Sequence, residues 1–596
     1  MALVVQKFGG TSVGSVERIQ KVAQRVYETV QAGHQVVVVV SAMGKTTDKL
    51  VGLAQSISSH PSGREMDMLL STGEQVSIAL LSMALQELGQ PALSLTGAQV
   101  GIVTETSHSR ARILEIKPDR AHKHLQKGEV VVVAGFQGIT SGEDVEITTL
   151  GRGGSDTSAV ALAAALQADY CEIYTDVPGI LTTDPRIVPE AQLMSEVTCD
   201  EMLELASLGA KVLHPRAVEI ARNYGVTLVV RSSWSDEPGT KVISPLPKTR
   251  SLTGLEIGKA VDSVQLDTSQ GQVALLRVPD SPGVAGKLFG EIAGQAVDVD
   301  LIIQSIHEGN TNDIAFTVER EVIKTAEAVA SAIAPALAQS PSDAVEVMTN
   351  TEMATVAITG AGMIGRPGIA AEMFTTLAEA GVNIRMISTS EVKIGCVIDE
   401  KDSDRAIKAL CQAFDLSSSP VSPHAPKPSE KIKNTPVRGV ALDTHQTQIA
   451  IRHVPDYPGR AAKIFGQLAQ EGISVDMIIQ SQRSRLINQV PSRDIAFTVS
   501  NTDSEITRKT LENLVPKIGA QDILVEKDIA KVSLVGAGMV GTPGIAAKMF
   551  NALAQEQINI QMITTSEIKI SCVVAKSQGE TALRVIHKVF DLHQPI

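Results

Sequence analysis

The stretch Thr149-Leu150-Gly151-Arg152-Gly153-Gly154-Ser155-Asp156 decides how the chain is interpreted. It follows a run with strand character and opens an alanine-rich run, 157–167, that favours a helix. Its glycines allow a tight turn and a close approach to a ligand, and the first N–H groups of a helix attract an anion. Arg152 offers a planar fork for a carboxylate or phosphate. A simpler alternative stays open at this point, namely that Ser155 or Asp156 only caps the helix.

A second glycine turn lies near the start of the chain. Residues 4–7 have strand character, Phe8-Gly9-Gly10-Thr11-Ser12-Val13 follows, and a helical pattern runs from 16 to 31. The order of a P-loop is absent, because Lys7 precedes the glycines instead of following them. From there Lys7 can reach phosphates held by the turn, although a solvated lysine at a strand end remains the alternative.

Strands and helices alternate through the first 245 residues. The runs 35–40, 91–95, 129–135 and 172–176 predict strands, and helices are expected over 65–88, interrupted at 71–74, and over 202–213. This alternation predicts an α/β domain with a mostly parallel sheet between helix layers, which binds ligands at the carboxyl ends of its strands.

Composition excludes several classes of protein. The 596 residues are 43% hydrophobic and 20% charged, with a formal net charge of −13, which argues against a general nucleic-acid surface. The first residues lack the build of a signal peptide, and the apolar runs are too short to span a membrane. Five scattered cysteines fit a reducing, cytoplasmic compartment and show no metal-type pairing.

Several motifs, in order across residues 1–245, closely resemble the aspartokinase family. Besides the two glycine turns they are 66–74 (MDMLLSTGE), 175–179 (TDVPG), 182–186 (TTDPR) and 208–215 (LGAKVLHP). The resemblance implies the amino-acid-kinase fold and the reaction of ATP with L-aspartate to give ADP and 4-phospho-L-aspartate. Relatives on this fold phosphorylate acetylglutamate, glutamate, carbamate or UMP, so a kinase for another carboxylate or for UMP is the rival enzyme.

The resemblance also implies roles for individual residues. Lys7 would neutralise charge on the transferring phosphoryl group, with Asp156 orienting it. Arg152 would hold the α-carboxylate of aspartate and Glu74 its α-ammonium, although Glu74 alone also fits an ordinary helix carboxylate. The remaining positions for aspartate are Ser41, Thr47, Gly153, Gly154 and Ser155. Those for ATP are Lys7, Phe8, Gly9, Gly10, Thr175, Asp176, Leu181, Arg186, Lys211 and Val212.

The implied phosphoryl transfer suits the residues named above. The side-chain carboxylate of aspartate has a reference pKa of about 3.9, so the nucleophile is already ionised and needs no general base. Catalysis then requires positioning and charge neutralisation. ATP brings Mg²⁺, held by phosphates and water, and we identify no protein cage for a metal. Leu181 departs from the family, in which many relatives place an aromatic residue near the adenine.

The second half of the chain is an internal repeat. Pro282-Gly283 recurs as Pro458-Gly459, and Gly360-Ala361-Gly362-Met363 recurs as Gly536-Ala537-Gly538-Met539 at the same spacing. Each copy contains two β-α-β-β-α-β patterns that resemble the ACT domain, a small amino-acid-binding regulatory module. We therefore expect a catalytic domain at 1–245, a first ACT pair at 250–416, a serine-, proline- and lysine-containing linker at 417–433, and a second ACT pair at 434–596. Short strands near 253–257 and 438–442 are expected to be lent to neighbouring units.

Two G-x-G-x-x-G fingerprints, starting at Gly360 and Gly536, mimic a dinucleotide site. The repeats are too small for a doubly wound domain, and no acidic residue ends the next strand, so we expect no NAD.

The ACT resemblance implies amino-acid effectors, lysine and threonine, bound where units pair edge to edge. The first predicted set is Asp280, Gly283, Val284, Ala285, Gln304 and Asp313. The second is Asp456, Gly459, Arg460, Ala461, Gln480 and Asp494, and the matching positions in the partner units are Asn383, Ile384, Asn559 and Ile560. The alternative, that these residues only build turns and strand ends, stays open. Free strand edges predict a homodimer through the ACT units.

A rival of another class is a non-catalytic amino-acid sensor with a degenerate kinase half. The residues Lys7, Glu74, Arg152 and Asp156 are all present, which argues against it. A homoserine dehydrogenase fusion is also disfavoured, because the repeat occupies residues 250–596.

Overall fold

The structure is a computed structural model that describes residues 1–208, 212–244, 251–304, 311–338, 344–363, 366–416, 436–487 and 489–594. The predicted linker 417–433 and the predicted ATP residue Lys211 lie outside the described residues.

An eight-stranded sheet forms the centre of the N-terminal domain. Its order is Glu196–Thr198, Thr240–Ile243, Leu228–Ser232, Tyr170–Thr175, Leu3–Phe8, Gln35–Val40, Val130–Ala134 and Ala92–Leu95. All neighbours are parallel except the contact between Leu228–Ser232 and Thr240–Ile243. The valine-rich strands are buried on both faces, as expected for a parallel sheet between helices. The predicted fold class is confirmed.

Helices cover both faces of this sheet. Their bounds are Val16–Gln31, Thr46–Ile57, Gly63–Leu70, Thr72–Glu87, Gly97–Val100, Asp119–Leu125, Gly154–Ala165, Cys199–Ser207 and Pro215–Tyr224. Gly154–Ala165 is entirely buried, which its small side chains allow. A smaller sheet lies beside the main one and consists of Ile113–Ile116, Ile102–Thr104, Gln137–Thr140 and Ile147–Thr149.

The C-terminal part contains four ACT-like units. Unit 1 has strands Gln270–Pro279, Ile302–Gln304, Thr311–Glu319 and Glu346–Asn350, with helices Val284–Gly294 and Ile323–Leu337. Unit 2 has strands Ser263–Asp267, Met353–Thr359, Met386–Thr389 and Lys393–Asp399, with helices Ile369–Glu379 and Ser403–Ala413. Unit 3 has strands Gln446–Pro455, Val475–Gln480, Arg485–Ile487, Val490–Ser500 and Asp522–Glu526, with helices Arg460–Gln470 and Ser504–Ile518. Unit 4 has strands Gly439–Asp443, Ile529–Val535, Met562–Ser566 and Lys569–Ala575, with helices Ile545–Gln555 and Gly579–Val589.

Units 1 and 3 are inserted into units 2 and 4. Strand Ser263–Asp267 pairs with Met353–Thr359 across the whole of unit 1, and Gly439–Asp443 pairs with Ile529–Val535 across unit 3. The expectation that a leading strand is lent to another unit therefore holds at 438–442. At 253–257 the expected strand is wrong: those residues form turns, and the lent strand begins at Ser263.

The units pair edge to edge across the repeat. Unit 1 joins unit 4 in one eight-stranded sheet through the antiparallel strands Ile302–Gln304 and Met562–Ser566. Unit 2 meets unit 3 where the Thr389 hydroxyl donates to the Asp476 carbonyl at 2.8 Å and the ring centroids of Phe374 and Phe465 lie 5.4 Å apart. Two of the edges from which a dimer was expected are therefore covered within one chain.

One helical stretch, Gly63–Glu87, is long and apolar enough to cross a membrane by length and composition alone. Core helices of soluble proteins pass the same test, and here Thr72–Glu87 packs against the strands of the main sheet, so this stretch is weak evidence for a membrane span.

Candidate active site and effector clefts

The glycine turn after the first strand lies at the carboxyl edge of the main sheet. The Gly9 amide donates to the Tyr174 carbonyl of the neighbouring strand at 3.4 Å. A Cβ at Gly10 would lie 2.8 Å from the Ala42 carbonyl oxygen, so only glycine lets this turn approach the end of the next strand. The close approach brings the turn beside Ser41, where the sheet presents its backbone groups to a ligand.

Lys7 and Asp156 form the charged centre of this edge. Lys7 Nζ lies 2.6 Å from Asp156 Oδ1, and each side chain is 12% exposed. Asp156 is in the first turn of the buried helix Gly154–Ala165, which fixes its position. The pair holds the ammonium group of Lys7 beside the Gly9–Gly10 turn.

Two serines connect this helix to the second strand. The Ser41 hydroxyl donates to the Ser155 hydroxyl at 2.9 Å. A Cβ at Gly135 would lie 2.9 Å from Ser155 Cβ, so glycine makes room for the serine. Thr47 is half-buried near the start of the next helix, so the polar groups predicted for aspartate border one edge.

Glu74 points into the same region from the helix Thr72–Glu87. It is 3% exposed, and its Oε1 accepts a hydrogen bond from the Ala42 amide at 3.0 Å. Among the described residues its Oε2 is buried without a hydrogen-bond partner. Burial raises the pKa of Glu74 to about 7, against the lowering effect of its backbone hydrogen bonds. A ligand ammonium would satisfy the free oxygen and favour the ionised carboxylate.

The glycine-rich stretch 149–156 forms another wall of the candidate active site. Gly151 and Gly153 have φ of 77° and 72°, which glycine adopts without strain, and a Cβ at Gly153 would overlap the ring of His214. Arg152 is exposed and free to extend towards a ligand. His214 itself caps the helix Pro215–Tyr224 through its side chain.

Two residues that hold this wall were missed by the sequence predictions. The carboxylate of Asp67, fully buried, accepts hydrogen bonds from the Thr149 hydroxyl at 2.5 Å and the Ser109 amide at 3.0 Å. The Arg216 guanidinium donates to the Leu150 carbonyl at 2.5 Å and pairs with Glu256 at 2.8 Å. Both lie inside quoted or adjoining motifs, but only the fold shows which loop each one contacts.

Two of the predicted ATP residues lie at the end of the strand that neighbours Lys7. Thr175 ends the strand Tyr170–Thr175, which pairs with Leu3–Phe8, and Asp176 follows it. Leu181 and Arg186 lie further along the chain, in the next loop. Arg186 is held by a bidentate contact with Asp184. Val212 is half-buried. Phe8 is fully buried and stacked on Tyr174, with centroids 4.6 Å apart, so it can offer a ligand only its backbone.

The charged centre of the candidate site combines one carboxylate with the ammonium group of Lys7. Among the described residues no group of three His, Cys, Asp or Glu side chains is arranged to hold a metal ion. Asp156 is already paired with Lys7.

The first candidate effector cleft lies between units 1 and 4. The predicted residues that line it are Asp280, Gly283, Val284, Ala285, Gln304, Asn559 and Ile560. The Asn559 amide donates to Asp280 across the interface at 2.9 Å, and Gln304 donates to the Ile560 carbonyl at 2.7 Å.

The second candidate effector cleft lies between units 2 and 3. The predicted residues that line it are Asn383, Ile384, Asp456, Gly459, Arg460, Ala461 and Gln480. Asn383 donates to Asp456 at 3.1 Å, and Arg493 pairs with the same carboxylate at 2.8 Å.

Asp313 and Asp494 do not line the clefts. The Asp313 carboxylate pairs with Arg483 of unit 3 at 2.7 Å, and Asp494 accepts a hydrogen bond from the His453 amide at 2.8 Å. The structure thus gives these two residues contacts inside and between units.

The fold and the charged strand edge define a protein of the amino acid kinase class that carries ACT units. A family model described as the amino acid kinase family matches residues 2–232, and one described as the ACT domain matches 356–414, 452–514 and 532–590. The chain is 50% identical to the aspartokinase of Bacillus sp. (strain MGA3) over 421 residues, which are 71% of this chain and 99% of the relative. It is also 50% identical to aspartokinase 2 of Bacillus subtilis (strain 168) over 420 residues, 70% of this chain and 99% of that one.

A solved structure extends the likeness to the whole chain. The crystal structure of aspartate kinase from Synechocystis has 65% identity and a TM-score of 0.88, and the match covers 100% of this chain and 99% of that one. The chain belongs to the aspartokinase family.

Proposed function

We propose that the chain transfers the γ-phosphoryl group of ATP to the side-chain carboxylate of L-aspartate, giving 4-phospho-L-aspartate, the first step towards lysine, threonine and methionine. The observation that carries the proposal is the Lys7–Asp156 pair beside the Gly9–Gly10 turn, within the edge that also holds Ser41, Ser155 and Glu74. This arrangement places the ammonium group of Lys7 and backbone N–H donors where phosphate charge develops.

The acceptor is recognised by opposite charges at its two ends. Glu74 Oε2 takes the α-ammonium group, and Arg152 takes the α-carboxylate in a bidentate contact. The side-chain carboxylate then faces Lys7 and the phosphoryl group. Because this carboxylate is ionised at neutral pH, the chain needs to orient it and neutralise charge rather than remove a proton. Mg²⁺ arrives with ATP and shields the phosphate charge.

ADP release in the presence of Mg-ATP tests the reaction. We expect turnover that depends on L-aspartate, with acetylglutamate, glutamate, carbamate and UMP giving none. Turnover with one of those acceptors instead would replace aspartate as the substrate. Tight amino-acid binding without turnover would favour the sensor and overturn the kinase.

Lysine and threonine are the proposed effectors of the two clefts. Each cleft joins the glycine-capped start of one helix to an asparagine of a partner unit, so a bound amino acid would touch both units. Inhibition follows if the effectors bind an inactive arrangement of the units better than an active one. Measuring ADP release with lysine, with threonine and with both tests whether they inhibit the reaction.

The proposed assembly is a homodimer through the ACT units. Strands Glu346–Asn350 and Asp522–Glu526 lie at sheet edges among the described residues, and each exposes an apolar side chain, Met348 and Leu524. Sedimentation at several concentrations tests the dimer. The proposed location is the cytoplasm, in keeping with five free cysteines.

A further inference from the structure

The loop that carries Leu181 and Arg186 is anchored on unit 4, more than 250 residues later in the chain. Thr182 is fully buried, and its carbonyl accepts a hydrogen bond from the Val440 amide at 2.9 Å. A Cβ at Gly439 would lie 2.8 Å from the same carbonyl oxygen, so glycine allows strand Gly439–Asp443 to reach the loop. A regulatory strand thus fixes the backbone of a loop in the catalytic domain.

The hydroxyl of Thr182 makes three further contacts. It lies 3.0 Å from the Gln192 amide, 3.2 Å from the Leu592 carbonyl and 3.0 Å from His587 Nε2. A hydroxyl has one hydrogen to donate and two lone pairs to accept. The Leu592 carbonyl takes the hydrogen and the Gln192 amide uses one lone pair. All three contacts are satisfied only if His587 donates from Nε2.

His587 is suited to this role by its surroundings. It is 2% exposed on the helix Gly579–Val589, and burial, followed by the charge of His593, lowers its pKa. The ring is therefore neutral near pH 7, with its single proton on the nitrogen that faces Thr182. A neutral, buried donor fixes the loop without placing a buried charge between unit 4 and the catalytic domain.

Unit 4 also forms one wall of the first effector cleft through Asn559 and Ile560. The same small unit therefore touches an effector cleft on one side and the loop 181–186 on the other. The core of unit 4 is continuous between these two places, since Phe550, Ile560, Leu583 and Ile586 belong to one buried cluster.

We propose that His587 is a positioning residue for ATP: by donating to Thr182 it holds the loop 181–186 in the conformation that binds the nucleotide. The inference rests on the proposed function, because it takes Leu181 and Arg186 to border ATP. It makes unit 4 a structural part of the nucleotide site.

The test compares ATP affinity in variants of the full chain. His587→Leu removes the donor and keeps an apolar side chain, whereas His587→Gln keeps an N–H near the place of Nε2. Loss of one buried hydrogen bond predicts a rise of about fivefold in the Kd and KM for ATP in His587→Leu, with the KM for aspartate unchanged. His587→Gln should restore most of the affinity. His445→Leu, the same change at a histidine whose side chain is 82% exposed, is the matched control and should leave both constants unchanged.

Calorimetric titration with Mg-ATP, without aspartate, gives the Kd independently of turnover. Unchanged ATP affinity in a folded His587→Leu variant would overturn the inference, as would equal losses in the leucine and glutamine variants. If circular dichroism shows that His587→Leu does not fold, Thr182→Val removes the other partner of the same hydrogen bond. Unchanged ATP affinity in that variant would then overturn the inference. Absence of aspartate-dependent ADP release in the unaltered chain would overturn the proposed function, while the binding comparison still decides this inference.

Discussion

Glu204 and Lys569 form an ion pair at 2.8 Å with side chains that are 0% and 1% exposed. Glu204 is on the helix Cys199–Ser207 of the catalytic domain, and Lys569 is on a strand of unit 4. Glu204 also accepts a hydrogen bond from the Glu391 amide of unit 2 at 3.0 Å. Burial alone would lower the pKa of Lys569, but Glu204, Asp476 and Glu391 raise it above its usual value. Catalytic and regulatory parts therefore share one buried cluster of charge.

Lys569→Met should strongly destabilise the chain. It leaves Glu204 buried without its cation, a change that costs about 3 to 5 kcal/mol in the free energy of unfolding. Urea unfolding followed by circular dichroism measures the loss. The double variant Glu204→Gln with Lys569→Met should lose less free energy of unfolding than the sum of the losses in the two single variants. The reason is that the double variant also removes the charge of the Glu204 carboxylate.

An exposed pair on the same unit supplies the control. Arg584 and Glu580 lie 3.6 Å apart with side chains 57% and 67% exposed. Arg584→Met should change the free energy of unfolding by no more than about 0.5 kcal/mol. A loss at Lys569 no larger than the loss at Arg584 would contradict a structural role for the buried pair.

The activity should depend on pH through Glu74. Its pKa of about 7 means that the carboxyl group is protonated below that pH and ionised above it. Only the ionised form attracts the ammonium group of aspartate, so kcat/KM for aspartate should fall about tenfold per pH unit below 7 and level off above it. Initial rates at low aspartate concentration, from pH 5.5 to 8.5, give the profile.

Glu74→Gln should raise the KM for aspartate and abolish this acidic limb. Glu87→Gln, at the exposed end of the same helix, is the matched control and should keep the wild-type profile. An acidic limb that persists in Glu74→Gln would assign the titration to another group.

Much of the catalytic domain follows from the sequence, because strand ends and glycine turns are local features. The Lys7–Asp156 pair was expected from two motifs that only the fold brings together. The helix predicted over 202–213 begins instead at Cys199, where Thr198 and Glu201 form a capping box, and ends at Ser207. The spacing of Thr198 and Glu201 is a helix-start signal that the sequence itself carries.

Contacts between distant segments could not be predicted from the sequence. Nothing local at Gln304 or Ile563 indicates that their strands pair with each other, because every ACT edge carries similar apolar residues. The contact between Thr182 and His587 could not be predicted from the sequence either. The two residues are 405 positions apart in the sequence, and neither carries a local signal of the other.

Gly153 should tolerate no side chain, unlike a glycine elsewhere in the same domain. Gly153→Ala would force a residue with a Cβ into φ of 72° and against the ring of His214, so the wall 149–156 must move. We expect a loss of aspartate turnover of at least about tenfold, from misplacement of Arg152. Steady-state kinetics measure the loss.

Gly52→Ala is the matched control for this change. Gly52 lies inside the helix Thr46–Ile57, and an added Cβ meets nothing within 4 Å. It should keep full activity and stabilise the chain by about 0.5 to 1 kcal/mol, the helix preference of alanine over glycine. Equal activity in the two variants would show that the glycine at 153 is not required.

The two effector clefts should differ in the amino acid that they bind, because the charges of their described lining residues differ. The cleft between units 1 and 4 is lined by Asp280 and by no described lysine or arginine, which favours the extra ammonium group of lysine. The cleft between units 2 and 3 adds Arg460 and Arg493 to Asp456, which favours the uncharged side chain of threonine.

Asn559→Ala and Asn383→Ala are a matched pair, since each removes the amide that bonds an aspartate across one interface. We expect Asn559→Ala to raise the lysine concentration for half-inhibition about tenfold, and Asn383→Ala to raise the threonine concentration for half-inhibition about tenfold. Inhibition of each variant is measured relative to the rate of that variant without effector. A shift of the same effector in both variants would contradict this assignment, because one amino acid would then use both clefts.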